Sequence, residues 1–290
     1  MTSQNRWSAV AELWPLANTS QFITARNLEW HVQISGEGED VLCLHGAGAS
    51  SHSFARLTAE LRHEFRLITP DLPGQGFSTL VAQEAVGLEA FTYELMSLMD
   101  LLDATPKWII GHSAGAALAA RYLLENDAQI RGILSINGAF NPFGSIAAPM
   151  FSKAAKLLSR SRWLPHLLAS PALRWRGMGS ILSDTGSSVD PVMSRCYEVL
   201  LSNPEHIAGT LRMMAGWDLP ALTDLMHTII QPIWLVACEG DRTIPPERSV
   251  SLGTQLKNAR VFRIPSLGHL GHEEDPPRFA SLFRELTEAS

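Results

Sequence analysis

Cysteine is scarce in this chain, with three in 290 residues, at Cys43, Cys196 and Cys238. Cys43 in "VLCLHG" and Cys238 in "WLVACEG" lie inside strand-like apolar runs, which reads as buried thiols rather than a disulfide frame or a metal set. A positive excess is missing too. Lys and Arg number 23 against 29 Asp and Glu, a net charge of -6, so the broad basic field that nucleic-acid binding needs is absent and nucleic acid is not an expected partner. No stretch reaches the roughly 18 to 20 apolar residues that span a bilayer. The opening "MTSQNRWSAVAELWPLANTS" lacks the basic start and uninterrupted apolar run of a secretory signal, so a reducing cytoplasm is the expected location.

What is present is an alternation. Short β-like runs, "QFITARN", "LEWHVQIS", "VLCLHG", "RLITPDL", "KWIIGHS", "GILSING", "PIWLVACEG" and "RVFRIPS", have helical patterns between them at about 51–63, 88–104, 114–125, 246–257 and 276–288. From Val41 onward the apolar runs are continuous, as parallel strands covered on both faces require. This predicts an open α/β sheet with its functional loops at the carboxyl ends of the strands, and "ARN" between the first two runs predicts an antiparallel start. After "GILSING" the alternation stops. Residues 141–220 read as a helical cap rich in Met, Leu and Trp, inserted into a core made of 1–140 and 221–290. Within 141–216, eight basic residues face four acidic ones, a local excess that suits a solvated helix face, anionic substrate groups or an acidic membrane surface.

Candidate chemistry begins at "IIGHSAGAALAARYL", residues 109–123. Ser113 stands at the centre of G-x-S-x-G, directly after a predicted strand and before a predicted helix, the context of a nucleophile elbow. A serine hydroxyl needs a general base near neutral pH, and that base needs an acid to fix its tautomer. Asp241 follows the strand "WLVAC" and His269 follows "VFRIP", so Ser113, Asp241 and His269 come in α/β-hydrolase order. Glu239 competes for the acid position and His272 for the base. The turn "LCLHGAGASSHSF" offers the Ala47 amide, which with the Ala114 amide forms the expected oxyanion hole; His45 and His112 are expected to shape the turns. No metal-ligand cluster stands out, and no cofactor is expected.

These residues, with "PDLPGQGFS" at 70–78, resemble the α/β-hydrolase superfamily over nearly the whole chain. The resemblance implies a mostly parallel eight-stranded sheet flanked by helices, with an inserted helical cap. Superfamily members that open halides or epoxides carry Asp at the elbow, so Ser113 argues against both activities. A narrower likeness lies in "GHSAGAA", "NGAFNPFGSIAAPMFSKAAKLLS", "DTGSSVDP", "MMAGWDL" and "SLGHLGHEEDP". Together these resemble the magnesium-chelatase accessory hydrolases (BchO-type) of bacteriochlorophyll-making bacteria, from about Trp30 to Phe279. By that resemblance the protein assists magnesium insertion into protoporphyrin IX, with magnesium chelatase as a partner and the magnesium belonging to the chelatase reaction.

Two functional classes follow. One is a serine hydrolase acting on an ester, thioester or related acyl bond of an apolar substrate, either in pigment synthesis or as a general carboxylesterase. The other is a non-catalytic module that binds a tetrapyrrole or the chelatase. A pocket for a flat apolar ligand would draw on His45, His112, Phe140, Met150, Trp163, Met178, Met213, Met214, Trp217 and Leu270, with ordinary helix packing as the other reading of the Met and Trp residues. The segment 151–180 interleaves basic and apolar residues, which suits peripheral membrane contact.

Overall fold

A computed structural model describes residues 2–26, 28–79, 86–126, 129–140, 161, 163–171 and 182–289. Its centre is an eight-stranded sheet: β1 (Ser20–Ala25), β2 (Leu28–Ser35), β3 (Glu39–Leu44), β4 (Phe65–Pro70), β5 (Trp108–His112), β6 (Gly132–Ile136), β7 (Ile233–Cys238) and β8 (Ala259–Ile264). The spatial order is β1-β2-β4-β3-β5-β6-β7-β8. β1 pairs antiparallel with β2, β2 antiparallel with β4, and every later pair is parallel. The antiparallel start and the doubly covered parallel strands match what the sequence predicts.

Side chains alternate across each strand, so β3 sends Leu42 and Leu44 into one apolar layer and Val41 and Cys43 into the other. The first layer is closed by α3 (Leu88–Leu101), α4 (Ala114–Glu125) and α9 (Pro246–Gln255), through Phe91, Leu95, Leu118 and Leu252. The second is closed by α2 (Ala55–Leu61) and α11 (Pro276–Glu288). α11 shows how the chain writes such a helix. Asp275 caps it by accepting from the Arg278 N–H, Pro276 suits the first turn, and Phe279, Phe283 and Leu286 recur on one face. Truncating Phe283 to Ala costs about 3–5 kcal/mol on this account.

The remaining described helices are α1 (Ser3–Ser8), α5 (Leu164–Leu168), α6 (Pro191–Leu201), α7 (Pro204–Gly216), α8 (Leu219–Leu225) and the short α10 (Gly271–Glu274). Of these, α5 to α8 fall between β6 and β7. α1 was not foreseen. Trp7, with Trp14 from the turn after it, packs on Phe77, Cys196 and Leu200, so the N-terminal segment braces α6. Asp190, just before α6, pairs with Arg56, and Glu205 of α7 pairs with Arg6 at 2.8 Å. All three cysteines are free and buried. No helix among the described residues is long and apolar enough to cross a membrane.

Candidate active site

Ser113 occupies the turn from β5 to α4 with φ 49° and ψ -117°, a backbone region that non-glycine residues rarely enter. Such a conformation costs about 1–3 kcal/mol and persists only when its surroundings hold it. Here the Ser113 N–H donates to the Ile136 carbonyl at 2.9 Å, and its own carbonyl accepts from Ala139 (3.0 Å) and Ala116 (3.1 Å). The flanking glycines are steric necessities. A β-carbon on Gly111 would stand 2.6 Å from the Ala116 Cα, and one on Gly115 would stand 2.0 Å from the Leu44 carbonyl oxygen. Strand and helix therefore approach closely enough to raise the serine at the sheet's carboxyl edge.

Two loops bring acid and base together. The Nδ1–H of His269 donates to Oδ2 of Asp241 at 2.7 Å, while Asp241 Oδ1 accepts from the Thr243 (2.7 Å) and Ile244 (2.8 Å) backbone N–H groups. A carboxylate only accepts, so the proton sits on Nδ1 and leaves Nε2 as the basic nitrogen. The rivals stand elsewhere. Glu239 is exposed and accepts from Arg263. His272 is buried beside Ser53, and burial pushes its pKa down to about 3.

The His269 loop is held from several sides, by His112 and by residues that the sequence did not single out. Asn137, at the end of β6 with φ 47°, donates to the carbonyls of Gly268 (3.2 Å) and His269 (2.9 Å) and accepts from the Cys238 N–H at 2.8 Å. His112 Nε2–H donates to the same His269 carbonyl at 2.9 Å, and its ring lies against the rings of His269 and His272. The Thr185 carbonyl accepts from both the His269 N–H (3.0 Å) and the Arg242 N–H (3.3 Å), so one residue of the "DTGSSVDP" stretch ties the base loop to the acid loop. Ser187 Oγ accepts from Leu270, and the Glu274 carboxylate takes the Gly268 and Ser188 amides.

The loop expected to supply the oxyanion hole, residues 45–49, lies alongside. A β-carbon on Gly46 would meet the Ser113 Cβ at 3.1 Å, which sets Gly46 beside Ser113. Ala114 is the first residue of α4, so its N–H has no intrahelical acceptor. Among the described residues neither the Ala47 nor the Ala114 N–H is committed to a partner. His45 shapes this turn: Nδ1–H donates to the Gly46 carbonyl and Nε2 accepts from Leu72. Beneath the loop, buried Asp71 accepts from the Ser51 and Phe77 backbone and faces His31 at 2.8 Å.

The expected pocket residues divide. Phe140, Met213 and Leu270 are buried, and Trp217 packs edge-on against Phe91. Phe140 and Met213 belong to the main apolar layer, and Leu270 sits with Ala49 and Tyr197. Met214 is 48% exposed. Trp163 departs from the pocket reading: at the start of α5 it is 84% exposed, with Leu167 and Leu168 also exposed on that helix. Met150 and Met178 lie outside the described residues, as does most of the segment 151–180.

A second buried polar cluster adjoins the base loop. Glu273 accepts from Ser53 Oγ at 2.5 Å and from Tyr197 Oη at 2.7 Å, and burial raises its pKa to about 7. Ser53 spends its proton on Glu273, so His272 Nε2–H donates to it at 3.0 Å. Among the described residues no group of His, Cys, Asp and Glu could hold a metal ion.

The family model of the alpha/beta hydrolase family matches residues 41–282, and the chain belongs to that family. Within it, the chain is 35% identical over 262 residues to the magnesium-chelatase 30 kDa subunit of Rhodobacter capsulatus, covering 90% of this chain and 91% of that protein. It is 24% identical over 283 residues to a 2-hydroxy-6-oxo-6-phenylhexa-2,4-dienoate hydrolase of Burkholderia cepacia, covering 92% and 95%. Among solved structures, a thermophilic esterase from Thermogutta terrifontis superposes with a TM-score of 0.71 at 22% identity, over 93% of this chain and 98% of the esterase. That last likeness speaks for the fold.

Proposed function

We propose that the protein is a serine hydrolase that cleaves an ester, thioester or related acyl bond of an apolar substrate. The observation that carries this reading is the Asp241–His269 pair at 2.7 Å, at the same sheet edge as a serine held at φ 49° between two sterically required glycines. Ser113 Oγ attacks the substrate carbonyl carbon as its proton passes to His269 Nε2. The negative oxygen that forms is met by the Ala47 and Ala114 N–H groups. His269 returns the proton to the leaving group, and water then releases the acyl group from Ser113 by the same route in reverse. The helices between β6 and β7 serve as the cap, over 141–220.

We infer further that this chemistry or the pocket around it serves magnesium insertion into a tetrapyrrole. The support is the 35% likeness, over nine-tenths of both chains, to a protein named as a magnesium-chelatase subunit. The exposed Trp163, Leu167 and Leu168 also favour contact between the cap and a membrane surface, which flotation with anionic vesicles tests directly.

The test of the hydrolase reading is turnover of short p-nitrophenyl esters. Wild-type protein releases nitrophenol, Ser113→Ala does not, and Asp241→Asn loses about a thousand-fold or more in kcat because the imidazole takes the wrong tautomer. Equal rates for wild type and Ser113→Ala overturn it.

A further inference from the structure

The oxyanion loop is pinned from two directions, one of them the cap. Gly46, Ala47, Gly48 and Ala49 are joined by three peptide planes. In a trans peptide the N–H points opposite to the carbonyl of the preceding residue. The Gly46 carbonyl is engaged on one side by His45 Nδ1–H (2.8 Å) and the Ala49 N–H (3.2 Å), so the Ala47 N–H points the other way. The middle plane is fixed by Gln75, whose Oε1 accepts from the Gly48 N–H at 2.8 Å. The last plane is fixed by His206 of α7, whose Nε2 lies 3.2 Å from the Gly48 carbonyl.

The tautomer of His206 follows from its partners. Its Nδ1 accepts from the Gly76 N–H at 2.9 Å and so carries no proton, which leaves Nε2–H to donate to Gly48. Burial holds this ring neutral, with its pKa brought down to about 4. Gln75 is tied to the same helix, since its Nε2–H points to Met213 Sδ at 3.1 Å. The helix reaches this depth because Gly209 has no side chain. A β-carbon there would stand 1.9 Å from the Gly74 carbonyl oxygen.

We propose that Gln75 and His206 are positioning residues that hold the 46–49 loop with the Ala47 N–H aimed at the substrate oxygen, so that α7 of the cap is part of the frame of the oxyanion hole. This rests on the serine-hydrolase reading for its catalytic consequence, and on the hydrogen bonds alone for the frame itself. Removing Gln75 frees the Gly48 N–H and lets the middle plane turn. Removing the His206 donor frees the Gly48 carbonyl. In either case the Ala47 N–H keeps only the bonds on the Gly46 carbonyl to hold its direction, while the Asp241–His269 pair stays in place.

The experiment measures backbone amide exchange across residues 44–52 in the full chain, beside ester turnover, for wild type, Gln75→Leu, His206→Asn and His206→Gln. Asn reproduces the Nδ1 acceptor towards Gly76 but cannot reach Gly48, whereas the Gln side-chain amide can donate to the Gly48 carbonyl. The expected result is Gly48 exchange faster by about ten-fold or more in Gln75→Leu, the scale for loss of one buried hydrogen bond. His206→Asn loosens the loop similarly, and His206→Gln restores part of the protection. In turnover, kcat falls about ten- to a hundred-fold for Gln75→Leu and His206→Asn with little change in KM, since an oxyanion donor acts on the transition state. Unchanged loop exchange in both variants, or equal behaviour of His206→Asn and His206→Gln, overturns the proposal, and thermal melts show that each variant is folded. Absence of wild-type ester turnover overturns the hydrolase reading alone, and the exchange data still decide the positioning claim.

Discussion

Gly186 lies so close to Gly240 that a β-carbon on Gly186 would stand 2.1 Å from the Gly240 carbonyl oxygen, and Gly186 itself has φ 75°. The contact presses the Thr185–Ser188 stretch into the cleft between the acid loop and the base loop, where the Thr185 carbonyl accepts from both. Gly186→Ala therefore meets a clash and a left-handed backbone penalty of about 1 kcal/mol together. The expected outcome is a kcat about ten-fold lower or less than that with a modest fall in Tm, as the His269 N–H loses its acceptor. Steady-state kinetics and a thermal melt check it.

Asn137 offers a stability prediction. Its side chain makes three buried hydrogen bonds, and its backbone lies at φ 47°, where Asn is better tolerated than Ala. Asn137→Ala should cost about 2–4 kcal/mol, because it leaves the Cys238 N–H and the Gly268 carbonyl without that partner. Urea unfolding followed by tryptophan fluorescence measures it.

Acid should destabilise the protein through its buried histidines. Burial lowers His52 and His272 to about 3 and His206 to about 4, from 6.5. Each is neutral in the fold, and each takes up a proton below pH 6.5 once the chain unfolds. Stability is therefore fully present above 6.5 and is lost as the pH falls towards the folded values, by about 1 kcal/mol per histidine near about pH 5.5. Urea midpoints from pH 8 down to about 4.5 should fall steeply below 6.5, and a flat profile would contradict the burial argument.

Glu273 acts in the opposite sense. Burial first of all raises it from 4.5 to about 7, against hydrogen bonds from Ser53 and Tyr197 that lower it. Between those values the fold binds a proton that the unfolded chain releases, so this group's contribution weakens as the pH rises through 7 and is level above it. Glu273→Gln keeps the shape and removes the titration. The variant should gain stability over wild type by up to about 3 kcal/mol more at pH 8 than at pH 4.5, read from paired unfolding curves.

The order of the strands and the helices on them was legible because burial on both faces leaves continuous apolar runs such as "LVAC" and "WIIGH". The approach of Asp241 to His269 was legible because loops after parallel strands gather at one sheet edge. Asn137, Gln75 and His206 were not. Each works through backbone groups far away in sequence, such as Asn137 on His269 and His206 on Gly48, and no local pattern marks a side chain whose partner is a distant carbonyl. Trp163, expected in a pocket or in helix packing, stands 84% exposed just before α5, and an apolar run carries no sign of which of its residues face outward. Trp7 and Trp14 entered the sequence reading only within a stretch that lacks a signal pattern, although they close a cluster with Phe77, Cys196 and Leu200.

Whether Ser113 is a nucleophile is tested by covalent labelling with a fluorophosphonate, read by intact mass and peptide mapping beside Ser113→Ala. One adduct should form on the peptide carrying Ser113, absent from Ser113→Ala and formed far more slowly in His269→Ala. Folded wild-type protein that stays unlabelled, or an adduct that persists in Ser113→Ala, contradicts a nucleophilic Ser113.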